Sequence, residues 1–123
     1  KNLFGAYLAG VIDGDGCVKY RKHAKNMEIR ISAGHKLLEL ASLIRFHLEC
    51  GCHFTKDKSK TGLGYNTIFN VSPKNFNFLM NFVHPHIKIS HKSEKLKWYI
   101  DLKTEQRLIN SNYAKPVISG PVA

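Results

Sequence analysis

Apolar residues recur at helical spacing along the first fifteen positions. Leu3, Tyr7 and Val11 form one row and Phe4, Leu8 and Ile12 a second, which predicts a helix from Asn2 to Asp15, ended by glycines. The pattern then turns to alternation. Residues 17–23 and 27–33 read as two strands joined by a turn at Ala24-Lys25-Asn26, with Val18, Tyr20, Met27, Ile29 and Ile31 inward. Lys36 to Glu49 returns to helical spacing through Leu37, Leu40, Ala41, Ile44 and Leu48, with Gly51 as the stop signal. A second hairpin follows, residues 54–58 and 65–72 around the loop KTGLG, with Phe54, Tyr65, Phe69 and Val71 inward. Phe76, Leu79, Phe82 and Val83 predict a short helix broken at His84-Pro85-His86. Leu96, Tyr99, Ile100 and Lys103 mark a last helix over residues 92–109. The order predicts an α+β fold, helices on one face of an antiparallel sheet. One domain over residues 1–110 is expected, followed by a loosely held tail over 111–123 that contains Pro116 and Pro121.

The outward strand positions are polar and largely cationic. Lys19, Arg21, His23, Glu28, Arg30 and Ser32 alternate with the first hairpin's core residues, and Lys56, Lys58, Asn66, Asn70 and Ser72 with the second's. Any half-solvated sheet needs a polar face. Arg, Lys and Asn are also the side chains that reach phosphates and base edges in a major groove. Composition adds to this picture, since 19 Lys and Arg against 9 Asp and Glu give a formal charge of +10, favouring a polyanionic partner, nucleic acid or an anionic membrane surface. No apolar run approaches the roughly 20 residues of a membrane helix, and the N-terminus KNLFGAYLAG has neither Met nor the sequel of a signal peptide. The expectation is a soluble intracellular protein lacking its first few residues. The three cysteines, an odd number, argue for reduced thiols. His47, Cys50, Cys52 and His53 crowd together, but Cys-x-Cys is not the usual zinc spacing, and buried apolar thiols are the simpler expectation.

Against this basic background, the first helix ends on two carboxylates, Asp13 and Asp15, set among glycines. As residues alone, both could be caps. The stretch YLAGVIDGDGCV, however, resembles the LAGLIDADG signature over nine consecutive positions, Leu8 to Gly16, with Val11 and Gly14 as variants. The order of elements after the motif is similar to that of single-motif LAGLIDADG homing endonucleases, an αββαββα fold. The resemblance implies a homodimer that packs its two motif helices together and lays two saddle-shaped sheets into the major groove of a pseudo-palindromic duplex. It further implies cleavage of both strands across the minor groove with Mg²⁺ or a substitute such as Mn²⁺, and an intron origin. A cytoplasm, archaeal or bacterial, or an organelle (chloroplast or mitochondrion) is the implied compartment.

By that resemblance Asp15 and Gly14 are the metal-site residues, and Ala6, Ala9, Gly10 and Asp13 the dimer junction. Small residues let helix backbones approach, and a two-fold axis would bring one Asp15 from each chain side by side. His35, by its offset from the LECG segment, takes the place of a polar side chain that positions water. Alignment on Pro85 puts Ser90 where relatives carry a catalytic-site lysine, leaving Lys92, or else Lys88, to supply the charge. Lys19, Arg21, His23, Glu28, Arg30, Ser32, Lys56, Lys58, Asn66 and Asn70 are the expected DNA contacts. The same fold also serves intron maturases that bind RNA and non-catalytic DNA-binding proteins, so intron RNA stands as an alternative partner.

Overall fold

In the computed structural model, residues 1–57 and 64–114 are described. Helix α1 (Asn2–Asp15) turns Phe4, Leu8, Ala9 and Ile12 inward. Only the Phe4 row is therefore fully core: Leu3 is 89% and Tyr7 56% exposed, and Val11 packs against the core partly buried. Two glycines allow the close packing around this helix. A Cβ on Gly5 would stand 2.1 Å from the carbonyl oxygen of Phe82, and one on Gly16 would lie 2.6 Å from the Cα of Ile12. The second contact lets the chain pass from α1 into β1 (Gly16–Arg21) with no intervening loop.

Strand β2 (Asn26–Ala33) pairs with β1 across a turn at residues 22–25, where Lys25 takes a left-handed φ of 53°. Strand β1 thus ends two residues earlier than the alternation predicts. His23 stands on the hairpin tip, exposed, and not on the sheet. Helix α2 (Leu38–Leu48) buries Leu40, Ile44 and Leu48, and ends at Glu49, left-handed with φ 57°. It carries Glu39 in its first turn and Arg45 and His47 in its last, both as the helix dipole favours. Strands β3 (His53–Lys56) and β4 (Tyr65–Val71) form the second hairpin. All pairs are antiparallel, in the order β1-β2-β4-β3.

Helix α3 (Pro73–Phe78) opens on a capping box in which the Ser72 and Asn75 side chains each accept the other's backbone N–H. It runs on into a π turn, Leu79–Val83, and a 3-10 turn, His84–His86. Helix α4 (Ser90–Ala114) begins earlier than the predicted Lys92 and continues past Ile109, so residues 111–114, assigned to the tail from sequence, are helical. The remainder of that tail and Lys58 lie outside the described residues.

The register decides which face is which. Val18, Ile29 and Phe69 are aligned across three strands and join Phe4, Leu8, Ile12, Ile44, Leu48, Leu96 and Ile100 in one core. All helices that contribute to this core lie on one face, as the alternation predicts, and the other sheet face is open. None of the helices is long and apolar enough to cross a membrane, among the described residues.

Candidate functional site

The last turn of α1 carries two acids in different circumstances. Asp13 is committed within the chain: its Oδ2 accepts the backbone N–H of Lys88 at 2.8 Å and its Oδ1 that of Ile89 at 3.1 Å. The Nζ of Lys92 donates to the carbonyls of Ile12 at 2.7 Å and Asp13 at 3.0 Å. Its ammonium thus meets two carbonyls of the last helical turn, that of Ile12 also accepting the Gly16 amide, and sits on the negative end of the α1 dipole. Ile89 immediately precedes α4, its carbonyl accepting from the amides of Lys92 and Ser93 at 3.1 Å each. Lys92 consequently stands in the first turn of α4.

Asp15 is exposed and makes no hydrogen bond or ion pair among the described residues. A carboxylate at a helix C-terminus is disfavoured by the dipole, typically by about 0.3–1 kcal/mol. Asp15 therefore does nothing for the helix that ends on it. It projects where β1 begins, and Gly16 of β1 is paired with Ile31 of β2, so the acid lies at one end of the open sheet. Gly14 beside it is exposed, with open space around its Cα.

His35 leaves the same end of the sheet, past Ala33 of β2. It is exposed and lines a cleft of about 400 Å³ with Tyr7 and residues 36–40. Tyr7 lies eight residues before Asp15, about 12 Å along the helix axis. No hydrogen bond or ion pair joins His35 to Asp15 among the described residues. Lys88 is exposed, and only its backbone is engaged at Asp13. The structure thus gathers Asp13, Lys92 and Asp15 at one point and leaves His35 in its own cleft.

On the open face, three rows run across the strands: Lys19–Glu28–Asn70, Cys17–Arg30–Ile68–His53, and Ser32–Asn66–Thr55. Arg21 pairs with Asn26 at the hairpin end. Ser32 Oγ donates to Asn66 Oδ1 at 2.9 Å. Glu28 lies between two guanidinium groups, with Arg21 Nη1 at 3.0 Å from Oε1 and Arg30 Nε at 2.6 Å from Oε2. Although it points outward, Glu28 is only 1% exposed. Burial pushes its carboxyl up, but the hydrogen bonds and charges of Arg30 and Arg21 outweigh this and hold it below the usual carboxylate range.

Several expectations are corrected here. Lys56 pairs with Tyr65 and is two residues from Phe54, which pairs with Thr67. Residues two apart share a face, so Lys56 belongs to the helix side of the edge strand, and His53 and Thr55 take its place on the open face. The alternation rule applied strictly to β3 would have found them. Ala9 is fully buried in the chain's own core and offers no surface to a second chain. Asp13 has both carboxylate oxygens occupied within the chain. Ala6 and Gly10 remain exposed on α1, and a Cβ on Gly10 would meet nothing within 4 Å.

The cysteines are free thiols. Cys50 and Cys52 are half-buried where full burial was expected. Burial pushes both thiols up, Cys52 to about 11. Cys17 is exposed on the open face. Among the described residues, no group of three or more His, Cys, Asp or Glu is placed to hold a metal ion.

No family model matches the chain, and no curated protein matches it. Among solved structures, the meganuclease I-SmaMI bound to uncleaveable DNA with a TTCT central four aligns with 91% of this chain at 18% identity and a TM-score of 0.49. The aligned part is 40% of that chain, so this chain spans less than half of its length.

Proposed function

We propose that this chain is one subunit of a homodimeric, metal-dependent, site-specific DNA endonuclease of the LAGLIDADG type. The observation that carries the reading is Asp15: an exposed carboxylate with no partner among the described residues, beside an open, cationic sheet face, on a helix whose other terminal acid is structurally occupied. The motif resemblance over Leu8 to Gly16 and the order of elements support the same reading.

The donor set suits a hard cation shared with a substrate. Mg²⁺ takes one or two protein carboxylates and completes its shell with phosphate oxygens and water. Among the described residues one chain offers a single free acid at this point, so the fit requires a second copy and a phosphodiester. A two-fold axis beside the exposed Ala6, Gly10 and Gly14 would supply the second Asp15. Asp15 and the backbone of Gly14 would hold the ion, which when bound stabilises charge on the attacking and leaving oxygens of an in-line displacement. Lys92 has a separate role. By holding the carbonyls of Ile12 and Asp13, it fixes the helix end that carries Asp15 and places a positive charge two residues from it. The open face binds the duplex, with Lys19, Arg21, Arg30, Ser32, Asn66 and Asn70 toward DNA.

A cleavage assay on a pool of supercoiled plasmids bearing randomised inserts tests this, with Mg²⁺ and with EDTA. Linear product that forms only with Mg²⁺ and maps to a two-fold-related sequence is expected. Sequence-selective retention of DNA with no strand cut under either condition would identify a binding protein instead.

A further inference from the structure

We infer that Glu28 is a specificity-determining positioning residue, which draws the Arg21 and Arg30 guanidinium groups together so that they read neighbouring base pairs. The inference rests on the DNA-binding reading above. Glu28 is the anomaly of the open face, an acid held at 1% exposure on the surface proposed to meet a polyanion. A surface built for charge alone would omit it, because it cancels one of the three cations Lys19, Arg21 and Arg30 and would repel phosphate.

The register explains what the acid does. Arg21 pairs with Asn26, four residues along β2 from Arg30, so the two arginine rows lie about 13 Å apart along the strands. Both guanidinium groups nevertheless converge on the two oxygens of one carboxylate. Bases follow one another at about 3.4 Å along a DNA strand. Arginines splayed by their backbone positions would span about four steps, whereas arginines gathered on Glu28 address adjacent ones.

The atoms used matter as well. Arg30 donates through Nε, and its terminal nitrogens make no hydrogen bond among the described residues. That pair is the fork that matches O6 and N7 of guanine. Arg21 donates through Nη1, which leaves Nε and Nη2 for a side-on approach. Glu28 thereby fixes the rotation of both planar groups, and the entropy of ordering them is lost in folding and not on binding. Arg30 is the guanine reader of the pair, and Arg21 the neighbour.

The test is enrichment of randomised duplex DNA by the full chain in EDTA, followed by affinity measurements on single-base variants of the enriched site and on unselected duplex. The parent is expected to prefer guanine at one position per half-site, a preference that Arg30→Ala removes. Glu28→Gln is expected to lose at least about fivefold of that discrimination while binding unselected duplex more tightly, since an acid has left a basic face. A variant that merely misfolds would lose both. Should Glu28→Gln not fold, Glu28→Asp decides: it keeps the charge, shortens the reach, and is expected to lose the same preference. Parental discrimination in the folded variant overturns this inference alone. A parent chain that enriches no sequence overturns the DNA reading and this inference together.

Discussion

The carboxylate of Asp13 accepts the backbone N–H of Ile89 at 3.1 Å, and so ties the last turn of α1 to the start of α4 across 76 positions of sequence. With the amide of Lys88 on its other oxygen, Asp13 acts as a cap for a segment of chain that is not its own helix. Asp13→Ala leaves these donors to water, at a cost of about 1–2 kcal/mol. Urea denaturation of the variant should show a lower midpoint at unchanged slope.

Lys92 and Lys88 separate in the same kind of measurement. Lys92→Met removes the ammonium from the carbonyls of Ile12 and Asp13, and about 0.5–2 kcal/mol of stability should go with it. Lys88→Met, at an exposed side chain, should leave stability within about 0.5 kcal/mol of the parent. Single-turnover cleavage at saturating DNA should slow at least tenfold in Lys92→Met, about 1.4 kcal/mol of barrier, and little in Lys88→Met. The reverse order of rates would move the catalytic charge to Lys88.

Glu28 predicts an acid limb in the stability profile. Its folded carboxyl titrates below the unfolded value of 4.5, so the unfolded chain binds the proton first as pH falls. The stabilisation is fully present above pH 4.5 and is lost as pH drops through the lower folded value. Denaturation midpoints between neutral pH and pH 3 should fall more steeply for the parent than for Glu28→Gln. Parallel profiles would mean that the two arginines do not hold the carboxylate in solution.

Cysteine labelling reports on the open face. Thiolate is the reactive form, and the half-buried Cys50 and Cys52 have their thiols pushed up. At pH 8 iodoacetamide should therefore modify the exposed Cys17 first. Because Cys17 shares a row with Arg30, the enriched duplex should protect it. Mass spectrometry of the alkylated chain reads both outcomes, and equal labelling with and without duplex would place the DNA elsewhere.

Much of this arrangement is written in local pattern. Leu8 and Ile12 mark the inner face of α1, and the alternation through Val18, Ile29 and Ile31 gives the first hairpin and its two faces. Leu3 and Tyr7 mislead because their spacing is as helical as that of Phe4 and Leu8, and spacing cannot say which row the core takes. Lys56 misleads differently: Phe54 and Lys56, two apart on one strand, cannot face opposite ways. The contacts that define the candidate site lie beyond local pattern. Lys92 meets Ile12 across 80 positions, and Glu28 meets Arg21 only because a four-residue turn sets the register of β1 on β2. Neither the turn's length nor the α1–α4 packing follows from spacing along either element alone. Asp15 is legible through its motif; that Asp13 is occupied while Asp15 has no partner among the described residues is not.

The most direct measurement compares Asp15→Asn with Asp13→Asn in Mg²⁺-dependent cleavage of the selected target, alongside affinity for that duplex and urea stability. Asn keeps the shape of the side chain and removes the charge that would anchor the ion. Asp15→Asn should fold with parental stability, bind the duplex, and cut at less than about one-thousandth of the parental rate, some 4 kcal/mol of barrier. Asp13→Asn should lose stability first and retain cleavage wherever it is folded. Parental cleavage by Asp15→Asn would contradict the assignment of the free carboxylate as the catalytic metal ligand.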